Sequence, residues 1–124
     1  MTDQILLFVG SALTIIWGIA HLFPTQSVVK GFGDISIDNK RIITMEWIIE
    51  GVALIFIGAL VGAVTIVDPS NEVSAVVYAI SVCGLLVLAL VSLFTGFRIS
   101  FLPFRLCPFI FTASAVLIFI GGLI

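Results

Sequence analysis

Five ionisable side chains fall inside or beside the long apolar stretches of this chain. They are His21, Glu46, Glu50, Arg98 and Arg105. A carboxylate close to a histidine can move a proton on a lipophilic substrate, and the same groups can hold the polar end of a ligand. No catalytic motif accompanies them. Their chemistry therefore depends on whether the surrounding elements bring them together.

Four apolar stretches make up most of the chain, which is 61% hydrophobic and 10% charged. This balance excludes an ordinary soluble domain. About 20 helical residues cross a bilayer, so each stretch is long enough to span it. We therefore predict an all-α polytopic membrane protein, folded as a single four-transmembrane-helix bundle. The predicted spans are 5–23, 45–67, 73–97 and 103–124, with a loop at 24–43.

The basic residues are distributed on one side of this predicted topology. All five lie in the first and third loops: Lys30, Lys40, Arg41, Arg98 and Arg105. The opposite side has acidic residues and no lysine or arginine. The positive-inside bias therefore predicts cytoplasmic basic loops and both termini outside, in a multi-pass protein of the cell membrane. No basic region precedes the first stretch, so we expect it to be retained as a span.

Glu46 and Glu50 lie one helical turn apart on the same face of the second span. Counting back about 20 residues from Val67 places the membrane boundary near Trp47, a residue type that favours that depth. Glu50 then lies about one turn inside the boundary. Because an ionised carboxylate facing lipid is costly, we expect Glu50 to turn inward, pair with a cation or stay protonated.

His21 follows a stripe of small residues in the first span. Gly10, Thr14 and Gly18 recur every four residues, and His21 continues the same side of the helix. Small residues of this kind mark helix contacts, so the histidine should point into the protein. A histidine donating to a loop carbonyl is the alternative interpretation. No spacing typical of metal ligands occurs around it, and we predict no metal site.

These placements bring an ionisable group from every helix to one layer. The sequence predicts a cytoplasm-facing polar pocket, and its predicted ligand-binding residues are His21, Glu46, Trp47, Glu50, Arg98 and Arg105. In the alternative, Glu46 and Glu50 pair with Arg105, Arg98 or His21 and only hold the bundle together.

Further patterns concern packing. Gly58 and Gly62 form a Gly-x-x-x-Gly pair, which suits a homodimer or a contact inside the bundle. A stripe of small residues, Ala75, Ala79 and Cys83, predicts the packing face of the third span.

The connecting segments carry two more predictions. We expect the 24–43 loop to form a folded lid or an interfacial segment, with Ser36 or Asp38 capping a helix that continues into the second span. Four phenylalanines, at 94, 97, 101 and 104, have the spacing of one helical face, which favours either an interfacial anchor or a ligand site.

Three function classes fit these patterns. The first is a membrane protein that binds a lipophilic or amphipathic small molecule, or serves as an accessory subunit. The second is a small enzyme or proton-coupled transporter that uses Glu50, Glu46 and His21. The third is a structural assembly partner. Expected partners are the lipid bilayer, a lipophilic small molecule and a second copy of the chain, with no nucleic acid; the sequence identifies no cofactor.

Overall fold

The computed structural model describes all 124 residues and contains only helices and connecting segments. The helices are α1 (Thr2–Leu22), α2 (Thr25–Lys30), α3 (Ile37–Val67), α4 (Glu72–Thr95) and α5 (Leu102–Leu123). Four of them, α1, α3, α4 and α5, are long and apolar enough to cross a membrane. The prediction of an all-α chain with four candidate spans is therefore confirmed.

The four long helices pack as antiparallel neighbours. Helix α1 lies between α3 and α5, α4 packs against α5, and α3 meets α4 over a smaller surface. One end of the bundle holds segments 23–36 and 96–101, and we call it the basic end. The other end holds both termini and the α3–α4 turn, and we call it the terminal end.

Glycines bring α1 and α3 close together. A Cβ atom on Gly58 would lie 2.6 Å from Cγ1 of Ile15 and 2.7 Å from the carbonyl oxygen of Ser11, so no larger residue fits without movement. The Ser11 hydroxyl donates a 2.7 Å hydrogen bond to the Gly58 carbonyl. Gly62 also faces Ser11. The Gly58 and Gly62 contact is thus internal to the chain, and a homodimer through this face would require α1 to move away.

Tyr78 organises the terminal end. Its side chain is fully buried, and its hydroxyl lies 2.9 Å from the hydroxyl of Thr65 on α3. Gly122 leaves room for the ring, because a Cβ atom there would overlap it. The hydrogen bond joins α3 to α4, the pair of neighbouring helices with the smaller contact.

The predicted loop at 24–43 is largely helical. Helix α3 begins at Ile37, ahead of the span predicted at 45–67, and the Ser36 hydroxyl caps it by accepting from the backbone N–H of Asn39 at 3.2 Å. The predicted cap is therefore confirmed at Ser36. The 31 residues of α3 correspond to about 46 Å, which exceeds a hydrocarbon layer of about 30 Å. Its first turns therefore extend past that layer at the basic end.

Two packing predictions were wrong. Helix α4 ends at Thr95, so Phe97 and Phe101 lie in the following connection and the four phenylalanines share no helical face. Cys83 is exposed, because the buried face of α4 is centred elsewhere. That face consists of Ser74, Tyr78, Ser81, Val82, Leu85 and Ala89. The packing of α4 follows the large Tyr78 and Leu85 side chains, about 100° around the helix from Ala79.

Candidate functional site: an aromatic cavity at the basic end

A cavity of about 180 Å³ lies where the end of α1, the first half of α3 and the start of α5 converge. We call it the inner cavity. Its walls are mainly apolar and aromatic. They are formed by Trp17, Ala20, His21, Pro24, Trp47, Phe101, Pro103, Phe104, Leu106 and Cys107. His21 is the sole residue among them with a basic side chain.

His21 is held in place by Trp47. The two rings are stacked, with centroids 3.9 Å apart and planes inclined by 17°. The indole N–H of Trp47 also donates a 2.7 Å hydrogen bond to the His21 backbone carbonyl. This carbonyl lies in the last turn of α1, where carbonyls lack an intrahelical N–H partner. The His21 side chain is 8% exposed, which confirms that it points into the protein.

Glu50 approaches the imidazole from α3. Its Oε2 lies 3.5 Å from Nε2 of His21. The contact lies within ion-pair distance but is not a hydrogen bond, because Nε2 is fully enclosed and has no hydrogen-bond partner; it becomes an ion pair only when the imidazole is protonated. The Glu50 side chain is 47% exposed. The pair therefore joins a buried imidazole to a carboxylate that reaches the surface of the bundle.

Further aromatic side chains form much of the cavity wall. Phe104 packs edge-on against Trp47 with centroids 5.6 Å apart, and Phe101 packs edge-on against Phe104 at 5.9 Å. Offset or edge-on arrangements of this kind are the favourable ones for aromatic pairs. Cys107 completes the wall, and its thiol donates to the Pro103 carbonyl with a sulfur–oxygen distance of 3.4 Å.

A second cavity, of about 570 Å³, adjoins the first and shares Trp47, Phe101 and Phe104 with it. We call it the outer cavity. Residues from α2, the following turn and the α4–α5 connection supply much of its lining, including Val28, Phe32 and Ile99. The short helix α2 thus covers part of an apolar space that continues from the inner cavity toward the basic end.

The predicted polar layer converges only in part. His21 and Trp47 line the inner cavity, and Glu50 contacts His21 from outside it. Glu46 is exposed and, with Glu50, borders a shallow depression on the outer side of α3. These carboxylates are therefore separated from the inner cavity by the side chain of Trp47.

The two arginines of the third loop do not join the carboxylates. Arg105 donates from Nε to the Ile99 carbonyl at 2.9 Å, and Arg98 is exposed in the α4–α5 connection. Two side-chain contacts fall within ion-pair distance, His21 with Glu50 and Asp38 with Arg41, and neither involves Arg98 or Arg105. Long arginine side chains at a membrane boundary extend toward water, and a backbone carbonyl satisfies Arg105 there.

Several lining residues were not predicted. Trp17 lies four residues before His21, so the helical repeat alone places both on one side of α1. Phe101 and Phe104 were expected to form either an interfacial anchor or a ligand site, but their position in the cavity depends on the path of the 96–101 connection. Cys107 lines the cavity because it lies one turn after Pro103 on α5.

No group of three or more His, Cys, Asp or Glu side chains is arranged to hold a metal ion. Comparison with known proteins found no match: no family, curated protein or solved structure matches the chain. The candidate site therefore rests on the geometry of the inner cavity.

Proposed function

We propose that this chain is a small integral membrane protein that binds a lipophilic or amphipathic small molecule in the inner cavity. The observation that carries the proposal is an apolar cavity of about 180 Å³ that contains one buried basic side chain, His21. Small-molecule sites are typically concave, mostly apolar and equipped with a few polar groups that orient the ligand. The inner cavity has these properties.

The position of the cavity supports a ligand taken from the bilayer or from its boundary. The inner cavity lies at the basic end, and the outer cavity continues it beneath α2. By the positive-inside bias we place this end in the cytoplasm and both termini outside, with the cell membrane as the location. The ligand would then enter from the cytoplasmic side, where α2 acts as a partial cover.

A second candidate function is acid–base chemistry on the bound molecule, or its proton-coupled movement. The contact between His21 and Glu50 favours it, because a half-exposed carboxylate and a buried imidazole can pass a proton between the surface and an enclosed site. Both candidate functions require the small molecule to bind in the inner cavity. A purely structural role for the charges is the third candidate: Glu50 contacts His21, which would join α1 to α3, whereas neither Arg98 nor Arg105 pairs with a glutamate.

The binding proposal can be tested by filling the cavity. Ala20 lines the inner cavity and is itself exposed, so A20F would place a phenyl ring at the open side of the cavity and obstruct it. A59F on the exposed surface of α3 is the matched control, because it adds the same ring outside the cavity. Wild type and both variants would be purified in one detergent, and their organic extracts compared by mass spectrometry.

We expect a lipophilic compound enriched with the wild type and A59F, and depleted at least severalfold from A20F. Equal extracts from all three proteins would contradict binding in the inner cavity. Melting temperatures measured on the same samples establish that A20F is folded, so that loss of the compound reports on the site.

A further inference from the structure

We infer that the ligand of the inner cavity presents a single flat ring carrying a hydroxyl group, and that this hydroxyl donates a hydrogen bond to Nδ1 of His21. This inference rests on the proposed function, because it names the chemical class of the molecule bound at that site. Three observations support it: the size of the cavity, the nature of its walls and the surroundings of the two imidazole nitrogens.

The volume sets the size of the buried group. An apolar protein cavity of about 150 Å³ is known to bind benzene. The inner cavity, at about 180 Å³, therefore accommodates one ring with small substituents and not a fused polycyclic skeleton. An apolar chain on that ring would pass into the outer cavity, which shares three aromatic residues with the inner one.

The walls favour a ring over a saturated chain. Trp17, Trp47, Phe101 and Phe104 present four aromatic side chains to the cavity. A flat aromatic ligand gains offset or edge-on contacts with such neighbours beyond its burial of apolar area. Trp47 is already stacked on His21, so two of the lining rings present nearly parallel planes.

The imidazole fixes the polarity of the ligand group. Nε2 is fully enclosed and lies 3.5 Å from the Glu50 carboxylate, so a ligand cannot reach it. A nearby carboxylate stabilises the tautomer with the proton on Nε2. In that tautomer Nδ1 is an acceptor, and any hydrogen bond from the cavity must come from a donor on the ligand. Glu50 is accordingly a positioning residue, because it acts through His21.

The test uses two ring compounds of nearly equal shape, 4-ethylphenol and 4-ethyltoluene, in which a hydroxyl replaces a methyl group. Trp17 and Trp47 are the two tryptophans of the chain, and both line the cavity, so intrinsic tryptophan emission reports on it directly. Dissociation constants for both compounds would be measured in the same detergent for the wild type and for H21F. H21F preserves a flat ring against Trp47 and removes both nitrogens.

The ratio of the two dissociation constants is compared between proteins, so that partition of the compounds into micelles cancels. We expect the preference for the phenol to fall by about threefold to tenfold in H21F, the range that one hydrogen bond supports. An unchanged ratio in folded H21F would overturn the hydroxyl contact and leave the binding proposal standing. Failure of both compounds to alter the emission of the wild type would overturn the proposed function as well.

Variants of Glu50 give a second, independent readout, because this side chain is half-exposed and tolerates substitution more readily than His21. E50Q retains a side-chain oxygen dipole beside Nε2, and E50L does not. We expect the phenol preference to survive in E50Q and to fall in E50L. Equal preferences in E50Q and E50L would contradict the assigned tautomer.

Discussion

Nε2 of His21 lies 3.5 Å from Oε2 of Glu50, and this contact connects the last turn of α1 to α3. The imidazole is enclosed, whereas almost half of the carboxylate side chain is exposed. The contact also lies beside the stacked pair of His21 and Trp47. The buried imidazole beside the aromatic cavity is therefore connected to the surface of the bundle through the Glu50 carboxylate.

This contact predicts an energetic coupling. H21F, E50L and the double variant would be compared by their free energies of unfolding in mixed micelles. We expect an interaction energy of about 0.5 kcal/mol or more, since groups in direct contact do not contribute additively. The pair E50L and R105L is the control. Its effects should add, because Arg105 donates to the Ile99 carbonyl and not to Glu50. Additivity in the first cycle would show that the contact contributes no stability.

The glycines of the bundle predict opposite effects for one substitution at two places. G58A adds a methyl group 2.6 Å from the Ile15 side chain, whereas a Cβ atom at Gly84 meets no atom within 4 Å. We expect G58A to destabilise the protein by about 1–3 kcal/mol through overpacking. G84A should be neutral or stabilising by up to about 1 kcal/mol, because alanine is the better helix former. Thermal melting in detergent measures both, and equal effects would contradict the close contact of α1 and α3.

The Tyr78 hydroxyl provides a prediction for the terminal end. In Y78F the hydrogen bond to Thr65 is lost, while the Thr65 hydroxyl keeps its 2.7 Å bond to the Val61 carbonyl. We expect a cost of about 0.5–1.5 kcal/mol in the free energy of unfolding. The double variant T65V/Y78F should lose less unfolding free energy than the sum of the two single variants, because each single change already breaks the same hydrogen bond. Strict additivity of the two changes would mean that the hydroxyls do not interact.

Much of the fold follows from the sequence because membrane spans are long and carry a strong compositional signal. The small-residue stripe before His21 correctly placed the histidine inside the protein, since a helical repeat fixes which residues share a face. Ser36 was likewise one of two capping residues predicted from residue type, the other being Asp38. The start of α3 before the apolar span was predicted from capping residues and not from hydropathy, because the apolar pattern marks the bilayer and not the end of the helix, which continues through polar residues.

The site was predictable only where one helix determined it. His21 and Trp47 were both named, but their stacking depends on how α1 and α3 cross. Phe101 and Phe104 reach the cavity because the α4–α5 connection folds back over it, and no periodicity describes that path. Arg98 and Arg105 were expected to meet the glutamates because all four lie at a similar depth. That expectation failed because side chains at one depth can lie on different sides of a bundle.

The orientation of the bundle yields the last prediction, and it decides on which side a ligand would enter. All five basic residues lie at or close to the basic end, in the segment from α2 to the first turns of α3 and in the segment from the end of α4 to the first turn of α5. The positive-inside bias places such segments in the cytoplasm, so the terminal end with Ile124 should face outward.

Alkaline phosphatase fused after Ile124 in a bacterial host should be active, because that enzyme matures only outside the cytoplasm. A fluorescent protein fused at the same place should be dark. A matched fusion pair in the 31–35 segment, after α2, should give the reverse pattern. If the fusions after Ile124 instead report a cytoplasmic terminus, the inner cavity opens outward, and a ligand would approach α2 from the outer face of the membrane.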